Sequence, residues 1–278
     1  MTERATFVVR GATPALRRIP AGLAELAAYR ELLGYMTVSR LRVRYRNSWL
    51  WWAWAVLQPL AFLGFLSVVG LAIGGHTNSG VAYPLFILAS LSPWTFFATS
   101  LSTSAAGVLN SRSLIAKVYF PREIVPFSYV FAALTDLAIA TALAMAALAC
   151  TGHSIPVTVV ELLPISLILV IYAVAFSLLL SIMQIRFRDI AIGLPLLLQG
   201  LMFTTPVLYP LDAVPEHWRA IYSLNPLALL VEAFRGALLD KQTIRLGQLV
   251  YAAVVGLVLF GIAYFVFKTA EPDMVDEM

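Results

Sequence analysis

The chain has 278 residues and a formal charge of +4, with 60% of its residues hydrophobic and only 12% charged. Water-soluble domains are roughly half apolar and a quarter charged, so this balance excludes a soluble enzyme and a nucleic-acid-binding module. A mean hydropathy of +0.85 and repeated apolar runs of about 20 residues, the length that crosses a hydrocarbon layer roughly 30 Å thick, predict an all-α integral membrane protein.

Residues 1–28 mix Gly, Pro, Ala and Arg and read as a tail on the cytoplasmic side. No continuous apolar stretch follows until Trp49, so no cleavable leader is expected. Residues 29–48 are predicted to form a helix in which Leu32, Leu33, Met36, Leu41 and Val43 alternate with Arg40, Arg42, Arg44 and Arg46. Arginines two apart point around a helix axis, which suits the membrane surface, where guanidinium groups reach lipid headgroups.

Six spans are predicted, at 50–73, 85–108, 127–150, 157–185, 191–208 and 249–267. Trp49, Trp51, Trp52 and Trp54 crowd the entry of the first, as in an interfacial aromatic belt. The fourth is longer than needed and is expected to be tilted or to begin in the interface near Glu161. Cys150, the one cysteine, excludes an intramolecular disulfide.

Loop charge orients these spans. Segment 1–49 carries nine Arg against three Glu, residues 111–126 are net +2, residues 186–189 are net +1, and residues 74–84 and 151–156 hold no Lys or Arg. Basic residues mark the cytoplasmic side, so both termini are predicted there, with 269–278 as a short cytoplasmic tail. Residues 209–245 differ in character. Asn225-Pro226 reads as an N-cap followed by proline at the first helical position, and Leu227, Leu230, Val231, Phe234 and Leu238 trace one helical face. Pro215, Trp218, Ile221 and Tyr222 suggest a shorter amphipathic helix before it. Both are too short to cross and are expected to be re-entrant helices at the outer mouth.

The chemistry is sparse. No G-x-x-x-x-G-K-[ST] is present, so the chain has no phosphate-cradling loop of its own. His76, His153 and His217 show no metal-ligand spacing. No catalytic, cofactor-binding or metal-binding residue is therefore expected. Asp136 lies well inside a span, where a charge costs about 2.5–3.5 kcal/mol; a functional acid and a hydrogen-bonded structural one are both open.

Four stretches carry a family resemblance: LRVRYRNSWLWWAWAVLQP (41–59), NSRSLIAKVYFPREIVP (110–126), IRFRD (185–189) and TPVLYP (205–210) leading to Asn225-Pro226. In order and spacing they resemble the membrane subunits of ABC-2 type polysaccharide exporters, which handle O-antigen, teichoic acid or cell-wall glycan, and K-V-Y-F-P-R-E is the most specific part. The resemblance implies an ABC-2 transmembrane domain over 49–268 in a bacterial cytoplasmic membrane. It implies a homodimer with two separate ATP-binding ABC subunits, which hold the ATP and Mg, and a lipid-linked polysaccharide as cargo.

Carried over by position, 29–48 becomes an interface helix and 111–123 a coupling segment. Leu114, Tyr119 and Phe120 would give the coupling segment apolar contacts to the ATPase, and Lys117, Arg122 and Glu123 polar ones. Residues 211–239 become two outer gate helices. Because sugar rings present apolar faces and hydroxyl edges, Trp94, Phe97, Tyr209, Trp218 and Tyr222, with Asp136, are the channel or gate candidates. Arg far outnumbers Lys, a composition of GC-rich genomes, which favours a cell-wall galactan as the first cargo to test. The nearest rival is an ABC-2 permease for a drug or other small molecule. A membrane enzyme acting on polyprenyl-linked sugars would need a carboxylate pair or metal motif, and a secondary transporter would show paired broken helices.

Overall fold

The computed structural model describes residues 22, 24–45, 83–115, 117–152, 154–211, 214–239 and 246–272, together with positions 57, 60, 61, 64, 65 and 68. Most of the first predicted span, Arg46, the tryptophans at 49, 51, 52 and 54, His76, His153 and residues 273–278 lie outside the described residues.

Among the described residues every regular element is helical. The helices are α1 (Arg30–Tyr45), α2 (Tyr83–Ala105), α3 (Ile124–Cys150), α4 (Leu162–Arg186), α5 (Ile190–Thr204), α6 (Glu216–Leu224), α7 (Pro226–Leu239) and α8 (Leu246–Ala270). Single turns at Gly107–Asn110 and Arg112–Ile115 link α2 to α3, and a 3-10 turn at Val157–Glu161 precedes α4. Four helical stretches among the described residues are long and apolar enough to cross a membrane: α2, α3, Val157–Arg186 and α8. The fifth predicted span is shorter than expected. α5 ends at Thr204 because Thr205 precedes Pro206, and a residue before proline is driven out of helical geometry. Its 15 residues reach only about 22 Å at 1.5 Å each. The fourth predicted span does change character at Glu161, where the 3-10 turn gives way to α4. Residues 24–28 are already helical, so the helical start falls before Tyr29.

Side-chain contacts set the helix directions. Ser181 Oγ near the end of α4 donates to the carbonyl of Ser104 at the end of α2 (3.1 Å), so these two run parallel. Lys268 at the end of α8 meets Glu123 just before α3, so α8 runs against α3. The segment 106–123, the end of α8 and Gly22 therefore share one end, which we call the basic end. At the other end Tyr83 Oη donates to the Leu208 carbonyl (3.3 Å), and Tyr251 Oη to that of Leu224 (3.1 Å).

α2 is the axial helix, packed by α3, α4, α5 and α7. That enclosure explains why its serines are buried: Ser90 and Ser92 return their hydroxyls to carbonyls four residues back, while Ser104 Oγ meets Ser177 Oγ at 2.7 Å. α7 was read as having one apolar face, but it is buried nearly all round, with Glu232 its main opening. Its start is as expected, since Asn225 Oδ1 accepts from the Leu227 N–H at 3.1 Å.

Helices in lipid gain little from apolar burial against each other and rely on close approach and hydrogen bonds. The α4–α8 contact shows both. Tyr172 Oη donates to the Ala252 carbonyl at 2.8 Å, and a Cβ added at Gly256 would lie 2.8 Å from that ring. The anchored ring cannot swing away, so Gly256→Val should destabilise the purified protein by about 1–3 kcal/mol, the usual range for overpacking. Gly261→Val, on the same helix with open space around it, should leave the thermal unfolding midpoint in detergent nearly unchanged. Equal midpoints for the two variants would contradict this packing.

Candidate functional site

The segment 111–123 projects from the basic end. Leu114, Val118 and Tyr119 are exposed, Tyr119 to 81%, and Lys117 is exposed beside them. Two apolar residues and a tyrosine held in the open next to a lysine make a patch suited to a protein surface, because aromatic residues with a polar tip serve such contacts.

Phe120 and Glu123 depart from the sequence expectation. Phe120 is 5% exposed and packs with Met36, Val108, Ile124 and Val125. Glu123 has no exposed surface. The physical reason is in the partners: Lys268 Nζ donates to Glu123 Oε2 at 2.8 Å and Tyr264 Oη to Oε1 at 3.0 Å. Both residues anchor the projecting patch instead of belonging to it. Arg122, half-buried, donates to the backbone carbonyl of Glu271, so of the six coupling candidates Leu114, Lys117 and Tyr119 form the accessible face.

The arginines of α1 also differ from expectation. Arg40 and Arg44 are four apart and share a face, and instead of fanning into headgroups they turn onto α3. The Arg40 guanidinium sits 4.4 Å above the Tyr129 ring and donates to Ser111 Oγ at 2.7 Å. Arg44 Nη1 meets Asp136 Oδ2 at 2.6 Å. Tyr129 and Asp136 are seven apart on α3, two turns along one face, so α1 climbs beside α3. Asp136 therefore has a charged partner, a possibility sequence periodicity could not show. Arg42 is exposed.

The channel candidates divide into two groups. Trp94 (5% exposed) and Phe97 (1%) lie in the core, Phe97 edge-on to Phe176 with ring centroids 5.9 Å apart. Among the described residues they pack α2 against its neighbours. Tyr209, Trp218 and Tyr222 instead converge on one open cavity of about 570 Å³ at the opposite end, lined also by Thr204, Val214, Pro215 and Asn225. Tyr209 Oη is 2.6 Å from the Phe203 carbonyl and 2.9 Å from Tyr222 Oη. A phenol has one proton to give, so Tyr209 donates to the carbonyl and Tyr222 donates to Tyr209. Burial, and then the Tyr222 hydrogen bond, push the Tyr209 phenol above its ordinary value. Trp218 is half exposed at the cavity mouth.

Three groups went unnoticed in the sequence. Lys268 closes the Glu123 contact, and its signal was a lone lysine ending the last apolar run. Tyr264 joins it. Arg235 lies 7% exposed within α7, donating to Ser90 Oγ (3.2 Å) and the Pro206 carbonyl (3.0 Å), 3.6 Å from Glu232 and 4.3 Å over the Phe86 ring. An arginine inside an apolar helical pattern was that signal. Among the described residues no cluster of metal-ligating side chains occurs.

The model of the ABC-2 type transporter family matches residues 31–239. Among curated relatives, the O-antigen export system permease protein RfbA of Myxococcus xanthus is 28% identical over 258 residues, spanning 91% of this chain and 98% of the relative. An RfbA of Klebsiella pneumoniae is 28% identical over 241 residues, 84% of this chain and 91% of its own. The polysialic acid transport protein KpsM of Escherichia coli is 26% identical with the same coverage.

The Arg44–Asp136 contact can be isolated by a double-mutant cycle. Arg44→Ala and Asp136→Ala, alone and together, should return an interaction energy of about 0.5–3 kcal/mol in detergent unfolding, the range for residues in contact. Strict additivity would mean the two do not pair.

Proposed function

The chain belongs to the ABC-2 type transporter family, and from that membership we propose that it is the membrane permease subunit of an ATP-driven exporter of a lipid-linked polysaccharide. The observation that carries this reading is the near full-length similarity to permeases named for O-antigen export and polysialic acid transport. The sequence has no phosphate-cradling motif, so ATP and Mg are assigned to separate ABC subunits, two of them, serving a homodimer of this chain. The membrane domain has six spans, the first over 50–73, with α6 and α7 as re-entrant outer gate helices. Both termini and the segment 111–123 face the cytoplasm, as the concentration of basic residues at that end favours.

The geometry suggests a division of labour. Leu114, Lys117 and Tyr119 dock into the ATP-binding subunit, with Phe120 and Glu123 holding them at the surface. Nucleotide-driven closure of the partner displaces this patch, and α1, joined to its start through Arg40 and Ser111, moves with it. At the outer end Tyr209, Trp218 and Tyr222 supply aromatic faces and hydroxyl edges of the kind that match a sugar ring. Arg235 ties α7 to α2 and to the turn after α5, so opening the gate means shifting α7 against those contacts. Asp136, held by Arg44, serves the position of α1.

Depletion of the chain in its native cell, followed by extraction of lipid-linked polymers, tests the assignment. A polymer should accumulate on the cytoplasmic side and be cleared by the unaltered chain but not by Tyr119→Asp, which places a charge in the docking patch while leaving the amount of protein in the membrane unchanged. Unaltered glycan pools after depletion would contradict polysaccharide export and favour a small-molecule cargo.

A further inference from the structure

We propose that Glu123, Tyr264 and Lys268 are positioning residues that bind the last span to the docking segment, so that displacement of Leu114–Tyr119 by the ATP-binding partner is delivered to α8. This rests on the docking role assigned above to that segment.

The argument begins with where these residues come from. Glu123 ends the projecting segment, and Tyr264, Lys268 and Glu271 lie on the last turns of α8 or just beyond, 141–149 positions later in the chain. Lys268 reaches both carboxylates, Glu123 at 2.7 Å and Glu271 at 3.1 Å. Tyr264 adds a hydrogen bond to Glu123, and Arg122 donates to the carbonyl of Glu271. Arg122 and Glu123 thus grip the last turns of α8 and the residue just beyond them. The contact is dry at its centre, with Glu123 and Tyr264 fully buried. The N-terminal region seals it: a Cβ at Gly22 would come 2.3 Å from Tyr264 Oη and 2.9 Å from Lys268 Cε.

The rest of α8 is held elsewhere. Its chief neighbours are α4 and α7, and the Tyr172 hydrogen bond to Ala252 lies toward its beginning. Among the described residues the ionic cluster therefore links α8 directly to the segment 111–123. A charge-assisted network in a low-dielectric site is stiff, because parting Glu123 from Lys268 strands a charge. The loop cannot then flex away from α8 as an ordinary surface turn would. Its start is gripped in the same way through Arg40 and Ser111, so the two ends of one segment are clamped to the N-terminal helix and to the last span.

The test uses the assembled transporter, this chain with its ATP-binding partner, in phosphatidylethanolamine–phosphatidylglycerol nanodiscs, where both faces are open to added reagents. In a Cys150→Ser background, Leu246→Cys places one thiol at the start of α8, far from the cluster and 76% exposed in the parent chain. Its rate of reaction with a membrane-impermeant maleimide is measured with and without ATP and Mg. With the cluster intact, nucleotide should change that rate by about fivefold or more, the lower bound of ordinary coupling between sites. Glu123→Gln with Lys268→Met removes both charges together and should abolish the change in the complexes that still hold the ATP-binding partner. Lys268→Arg should keep the change. Tyr264→Phe, which strands no charge, should reduce it and decides the matter alone should the double variant fail to fold.

A double variant, or a Tyr264→Phe variant, that responds to ATP like the unaltered cluster overturns the proposal, as does an unaltered cluster with no response. Failure of the unaltered chain to retain the ATP-binding partner overturns instead the docking role on which it rests.

Discussion

A carboxylate with no exposed surface can stay ionised at the end of an apolar helical bundle only where its charge is met in place. Glu123 is met by Lys268 and Tyr264, and much of the architecture of the basic end follows. The contact draws the loop after Phe120 inward against α8. The preceding residues Leu114, Lys117 and Tyr119 are left standing outside. Removing one member of such a pair typically costs about 3–5 kcal/mol because the other charge is stranded. The contact therefore fixes the loop in one arrangement, and that fixed arrangement is what gives the exposed patch a defined shape for a partner to read.

The same rule recurs at other depths. Asp136, midway along α3, is tied to Arg44 of α1, and this pair sets α1 upright against the bundle. Arg235 in α7 is surrounded by Ser90, the Pro206 carbonyl, Glu232 and the face of Phe86. Each of these charges thus joins two segments distant in sequence. Apolar contacts supply the remaining cohesion but no register, since methyl and methylene groups can slide where a 2.6–3.0 Å polar contact cannot.

Local features of the sequence proved readable and long-range pairings did not. Apolar runs located the long helices to within a few residues, and the Asn225-Pro226 helix start follows from chemistry confined to neighbouring residues. The first turn of α3 escaped because Pro126 resembles a breaker, although proline is tolerated in a first turn. α5 was drawn too long because hydropathy continues past Thr205 while backbone geometry does not. Tyr209, Trp218 and Tyr222 could be grouped because they share one compact stretch of chain. That Trp94 and Phe97 lie covered in the core was not legible, because periodicity shows which face is apolar, never which helix will cover it. Glu123 with Lys268 and Arg44 with Asp136 lie 145 and 92 positions apart, and no local pattern links such residues.

These features together fit the proposed half of a machine: a membrane domain with an exposed patch at its basic end, a stiff connection from that patch to α8, and a sequence without a phosphate-cradling motif. Native mass spectrometry of the affinity-tagged chain, released from its own membranes in mild detergent, tests that description most directly. It should show two copies of this chain with two copies of one ATP-binding subunit, and ATP hydrolysis should accompany that complex. Recovery of the chain alone, at any copy number and from membranes in which it is active, would contradict it.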